Sequence, residues 1–169
     1  MKKVLLILAL ALLSTQAKAL DYDDDGVSPG YRGFVDFSYS LGVGDFGKNH
    51  DRVNLMTSHG YQFVPQFFAG IGIGANYYYD DEAWNLPIFA HFRSDILAND
   101  ITPFVDLRVG YSFIDVKGFY LNPSVGCRFA VSDNLALNIG VGYTLQKTEF
   151  YYYGNENCGS VDFRFGIDF

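Results

Sequence analysis

The chain contains few long apolar runs. Although it is 49% hydrophobic, only Val4 to Leu13 is uninterrupted. This excludes a bundle of transmembrane helices, each of which needs about 20 apolar residues in a row. Two cysteines, Cys127 and Cys158, and three histidines, His50, His59 and His91, show no zinc-binding spacing, so neither a metal nor a cofactor is expected. Charged residues make up only 18%, and after Lys18 the only lysines are Lys48, Lys117 and Lys147. Without Lys2, Lys3 and Lys18 the chain keeps nine basic against nineteen acidic side chains, which argues against a nucleic-acid partner. Aromatics are plentiful, with 16 Phe, 13 Tyr and 1 Trp, and so is glycine, with 18. Such a chain has enough apolar surface to fold and does not read as disordered.

Lys2 and Lys3 precede the apolar run, which leads to Ala17-Lys18-Ala19, a small-x-small cleavage site. Residues 1–19 therefore read as an export signal cut near Ala19, because ten apolar residues are too few for a span of about 30 Å. Residues 20–169 remain as one domain with a short acidic leader. An exported chain can oxidise its thiols. Here, however, the two cysteines fall on strands separated by another strand, beyond the roughly 7 Å between Cα atoms that a disulfide permits. Two free thiols are expected.

From Tyr31 almost to the last residue, apolar and polar side chains alternate with period two, the signature of strands. Eight segments show it, beginning with Val35, Phe37, Tyr39, Leu41 and Val43 against Arg32, Asp36, Ser38 and Ser40. They end with Val161, Phe163, Phe165, Ile167 and Phe169 against Asp162, Arg164, Gly166 and Asp168. Glycines on the odd-numbered strands return at Gly42, Gly72, Gly110 and Gly142, spaced 30, 38 and 32 residues apart, so each interval fits one hairpin. Pro123 lacks a ladder donor and is expected to mark a bulge. The expected fold is all-β, an eight-stranded antiparallel up-and-down transmembrane β-barrel.

Alternation alone also fits an exported β-sandwich, so composition must decide which face is wet. In a sandwich the polar face meets bulk water and favours lysine and glutamate, yet Lys48, Lys117, Lys147, Glu82, Glu149 and Glu156 all fall in loops or at strand ends. The strands instead carry arginine and aspartate with glycine, serine and asparagine, which suits an enclosed lumen where planar guanidinium meets carboxylate and glycine makes room for it. The expected lumen network is Arg32, Asp36, Arg52, Arg93, Asp95, Asp106, Arg108, Arg128, Asp162 and Arg164. On the other face, tyrosines gather toward strand ends, as in an interfacial aromatic girdle.

Residues Ser160 to Phe169 resemble the C-terminal strand of Gram-negative outer-membrane barrels, which ends in the phenylalanine read by their assembly machinery. The chain is thus similar to the small eight-stranded OmpA/OmpX-type family. That resemblance implies an outer-membrane location, contact with membrane lipid and with the assembly machinery, and Phe169 as the assembly signal. It also brings alternatives, since some such barrels modify lipids with a serine and a histidine near the membrane surface. Ser58 with His59, or His91 with Ser94 and Asp95, could take those roles, but the expectation is polar packing for His91 and an interfacial position for His59. Narrow transport of a small apolar molecule is the third possibility.

Asp21 to Gly26 opens like a calcium loop, but its ninth and twelfth positions are Pro29 and Arg32, so a solvated acidic leader is the better reading. Loops at Asp45–Asp51, Asp80–Asn85, Asp115–Gly118 and Tyr151–Gly159 would share one end of the barrel. The last, rich in tyrosine and asparagine, has a composition suited to an unidentified surface ligand. The overall expectation is a structural or interaction protein with no catalytic site and no open aqueous channel.

Overall fold

Period-two alternation becomes a closed sheet in the computed structural model, which describes residues 22–23, 26–27, 29–43, 51–79, 82–97, 101–132, 135–150 and 154–169. For residues 22–23, 26–27, 147–150 and 154–158 it describes the backbone alone. Two short strands, β1 (Tyr22–Asp23) and β2 (Gly26–Val27), pair with each other within the acidic leader. The eight that follow are β3 (Gly30–Val43), β4 (Arg52–Val64), β5 (Phe67–Tyr78), β6 (Ala83–Asp95), β7 (Ile101–Ile114), β8 (Gly118–Ser132), β9 (Leu135–Phe150) and β10 (Gly154–Asp168). Each pairs antiparallel with its sequence neighbour, and β10 returns to β3 to close the barrel. The expected fold is borne out. Strands of 12 to 16 residues exceed the roughly 9 to 11 that a tilted membrane crossing requires.

The seam between β10 and β3 runs from Gly159 opposite Val43 to Asp168 opposite Phe34. Just beyond it, Gly33 N donates to Phe169 O at 2.7 Å and Phe169 N donates to Gly33 O at 3.0 Å. The Phe169 ring lies against Gly33, where an added Cβ would stand 2.7 Å from a ring carbon. Only glycine leaves room for that ring.

Several boundaries differ from the sequence reading. Pro123 marks no bulge: the β8–β9 register is the same on both sides of it, from Leu121 opposite Leu145 to Ser124 opposite Gly142. The missing N–H removes a ladder bond without adding a residue, and the proline ring lies on the exposed outer face. Register shifts fall instead between Gln62 and Val64 and between Ala130 and Ser132, close to two turns at the end of the barrel that carries Gly30 and Phe169. The supposed loop Tyr151–Gly159 is largely strand, since Gly154 to Gly159 pair with Phe150 to Leu145. The apolar signal fades there because Gln146, Lys147, Thr148 and Glu149 carry the strand on with polar residues in a row. Likewise Ala83 to Asn85 belong to β6 rather than to a loop, and Gly118 begins β8. Residues 151–153, and residues 45–50 of the first expected loop, lie outside the described residues.

The two faces of the wall are chemically opposite. Outward-facing Ile71 is 74% exposed, and Phe37, Val125, Ile139, Phe163 and Phe165 each exceed half exposure. A continuous apolar surface of this kind is not stable against water and matches hydrocarbon. Tyr61, Tyr79, Tyr111, Tyr143 and Trp84 are exposed on the same face.

Candidate functional site in the barrel interior

All ten side chains of the expected lumen set are buried, and with them all six arginines of the sequence. They form three groups along the axis. At the end carrying Gly30 and Phe169, Arg32 from β3 donates through Nη1 to Asp95 Oδ2 at 2.7 Å and through Nε to Asp168 Oδ2 at 2.9 Å. Arg93 Nε donates to Asp95 Oδ1 at 2.8 Å, and Arg128 Nε to Asp168 Oδ2 at 3.0 Å. Asn138 bridges this group, donating to Asp168 Oδ1 at 2.8 Å and accepting from Arg93 Nη2 at 2.8 Å.

In the middle, Arg108 Nη2 donates to Asp36 Oδ2 at 2.5 Å, while Asp106 faces Arg164 at 3.3 Å and Arg108 Nε at 3.5 Å. Arg164 also donates to Ser124 Oγ at 3.1 Å and to Asn122 Oδ1. Toward the far end, Arg52 Nη2 donates to Ser160 Oγ at 2.8 Å and lies 3.7 Å from Asp162. Asp162 accepts from Asn122 at 2.5 Å and from Thr144. Burial removes these charges from water, so their mutual pairing is what makes the interior tenable.

Aromatic rings fill the space between the charged groups. The glycines on the inner face make room for phenylalanine more than for arginine: a Cβ on Gly72 would meet the Phe89 ring at 2.5 Å, and one on Gly126 the Phe104 ring at 2.6 Å. Arginine then stacks on the rings, with the Arg93 guanidinium 3.6 Å from the Phe104 centroid and Arg32 4.8 Å from that of Phe34. Met56, Phe89 and Tyr120 form an apolar cluster within the lumen.

Two features escaped the sequence reading. Asp168 is a hub for Arg32 and Arg128, and its position on the polar face was the available signal. The second feature is a chain in which His91 Nδ1 lies 2.7 Å from Ser58 Oγ and His91 Nε2 lies 2.8 Å from Asp106 Oδ2. The sequence pairings fail, because Ser58 and His59 point to opposite faces and His91 reaches Asp106 rather than Asp95. With the carboxylate accepting from Nε2–H, a neutral ring receives the Ser58 proton at Nδ1. This is the connectivity of a hydrolase triad, yet Ser58 is only 1% exposed, inside the wall, and Phe34 and Phe68 sit edge-on to the imidazole at 5.1 and 5.2 Å.

His59 faces the other way. Thr57 Oγ1 donates to Phe34 O at 3.0 Å, so toward His59 Nε2, also at 3.0 Å, it accepts. The ring is thereby fixed with a proton on Nε2, and Tyr31 donates to its Nδ1 at 2.6 Å. Phe169 meets this ring edge-on at 6.4 Å. Cys127 is a free thiol. It pairs in register with Ile139, and Cys158 with Gln146, seven residues further along β9, which sets the two cysteines about 20 Å apart. Among the described residues no group of three His, Cys, Asp or Glu side chains is placed to hold a metal.

A closed, antiparallel eight-stranded barrel with an apolar outer wall and a charged, filled interior is the architecture of the small outer-membrane barrels of the OmpA/OmpX type. Comparison with solved structures agrees. Neisserial surface protein A superposes with a TM-score of 0.64 at 15% identity, covering 83% of this chain and 97% of that one. AlkL, an outer-membrane protein solved in lipid bilayers, gives 0.51 at 13% identity, with 90% and 93% covered. The N-terminal barrel domain of Pseudomonas aeruginosa OprF gives 0.50 at 8% identity, with 84% and 100% covered. No protein-family profile matches the sequence, and no curated protein matches it.

Proposed function

We propose that this protein is a non-catalytic barrel of the Gram-negative outer membrane, with a structural or surface-interaction role and a lumen closed by its own side chains. The observation that carries this reading is the buried network, in which six arginines interleave with Asp36, Asp95, Asp106, Asp162 and Asp168 around Phe34, Phe68, Phe89 and Phe104. An interior used up in this way leaves the outer wall and the loops to meet other molecules. In this reading residues 1–19 direct export, lipid surrounds the wall, and Phe169 is the signal to the assembly machinery. Reconstitution in planar bilayers tests the core of the proposal: no steady conductance is expected, and stable stepwise currents would refute the closed lumen. Membrane fractionation of cells expressing the chain tests the location, with recovery in the outer-membrane fraction expected.

A lipid-modifying enzyme is the second reading, favoured by the Ser58–His91–Asp106 chain. It ranks lower because the serine faces the packed interior rather than the wall that lipid contacts. Acyl loss or transfer from lipid A or phospholipid, detected by mass spectrometry and abolished by Ser58→Ala, would reverse the order.

A further inference from the structure

Thr57 and His59 interrupt the apolar outer face of β4, which carries Val53 and Leu55 before them and Tyr61 and Phe63 after. A histidine on a wall that meets hydrocarbon is costly unless its nitrogens are satisfied. Here both are, by side chains alone: Nδ1 accepts from Tyr31 at 2.6 Å, Nε2 donates to Thr57 at 3.0 Å, and Thr57 donates its own hydrogen to Phe34 O. Tyr31 also stacks on the imidazole at 6.0 Å. Two neighbouring side chains thus fix one ring that faces away from the lumen.

That ring meets the end of the chain. Phe169 stands edge-on to it at 6.4 Å, and a Cβ on Gly33 would come within 2.7 Å of the phenylalanine ring and 3.2 Å of His59 Nδ1. The side chain that Gly33 lacks is therefore the space where the two rings come together. Phe169 lies one residue past β10, where a terminal residue ordinarily frays, yet its N–H and its C=O both bond Gly33. Tyr31 and Gly33 belong to β3 and Thr57 and His59 to β4, the first two strands of the barrel, whereas Phe169 follows the last. The seat can fill only once β10 has met β3. Until then the backbone edge that Phe169 turns to Gly33 is free.

We propose that Tyr31, Gly33 and His59 form a closure latch, which captures Phe169 as the seam zips and so withdraws it from the assembly machinery, releasing the finished barrel. The latch presupposes Phe169 as the assembly signal and adds the event that retires it. One ring and one backbone edge cannot serve two partners at once. Binding to Gly33 and binding to the machinery then exclude each other, and a weakened seat favours a barrel that is folded but still held.

The full chain is followed on purified assembly machinery in lipid vesicles, with heat-modifiable gel mobility reporting folding and crosslinking reporting retention. His59→Leu and Tyr31→Phe should bind the machinery as the unmodified chain does but accumulate folded and crosslinked, leaving about fivefold more slowly, the factor that one net hydrogen bond supplies. Tyr31→Phe keeps the ring and only removes a hydroxyl, so it serves where His59→Leu does not fold. Phe104→Leu, a lumen change on β7 away from the seam, should be retained only while unfolded. In vesicles without machinery, hydrogen exchange at the Gly33 and Phe169 amides should be faster in both seat variants than in the unmodified barrel. Normal release of both variants, an equal folded and bound population in Phe104→Leu, or unchanged exchange would overturn the latch. Undiminished binding of a Phe169 deletion would instead sink the assembly-signal reading, and faster exchange in the seat variants would distinguish that failure from a seat that holds nothing.

Discussion

Asp168→Asn is the sharpest test of the interior. The group at the end carrying Gly30 and Phe169 sets three guanidinium groups, Arg32, Arg93 and Arg128, against two carboxylates, Asp95 and Asp168. Asp168 alone accepts from Arg32 at 2.9 Å, Arg128 at 3.0 Å and Asn138 at 2.8 Å. The amide has the same shape but carries no charge, and its NH2 faces donors. Three cations then share one anion. Arg32 keeps Asp95 and Gln62, and both Arg32 and Arg128 lose the charge of the carboxylate they share. Removing one member of a buried pair costs about 3–5 kcal/mol, and the isosteric change should fall in that range with little cavity contribution. Urea unfolding of the barrel in lipid vesicles, followed by the fluorescence of Trp84, measures it. If excess charge is the cause, adding Arg128→Met should restore about half of the loss, which simple additivity does not allow. An unfolding midpoint that does not move in Asp168→Asn, or a double variant worse than the sum of the singles, would refute the reasoning.

Other outcomes follow from the same contacts. Arg108→Ala should lower stability by about 3–5 kcal/mol by stranding Asp36, whose partner lies at 2.5 Å, and denaturant unfolding checks it. Gly33→Ala sets a methyl against the Phe169 ring, so the folded fraction seen as heat-modifiable gel mobility should fall, with an overpacking cost of about 1–3 kcal/mol. Deleting Phe169 should lower the amount of barrel in the outer-membrane fraction, and unchanged levels would count against its role as an assembly signal. His91→Gln, which can still accept from Ser58 and donate to Asp106, should be tolerated better than His91→Ala in the same unfolding assay.

The architecture was legible because two independent signals pointed the same way. Alternation gave the strands, and the near exclusion of lysine from them distinguished an enclosed polar face from a wetted one. Strand ends were less legible wherever both faces turn polar, as along Gln146 to Glu149, since the period-two signal is a contrast and vanishes with it. The proline readings show the same limit. A missing N–H is certain from sequence, but whether the wall answers with a bulge depends on the neighbouring strand, and at Pro123 and Pro87 it answers by dropping bonds without changing register.

Pairing within the lumen was beyond reach for a further reason. Residues that meet there come from strands far apart in sequence, such as Arg32 with Asp168 or Arg108 with Asp36, and their relative heights are set by the stagger that closing the sheet imposes on every strand. One strand's sequence fixes which way a side chain points but not what stands opposite across the barrel. Hence Ser58, His91 and Asp106, on β4, β6 and β7, look unrelated in the chain and lie in hydrogen-bonded contact in the fold. A barrel interior is therefore read in two steps: alternation lists its members and sets neighbours along one strand, such as Arg93 and Asp95, while closure decides which of them meet across the lumen.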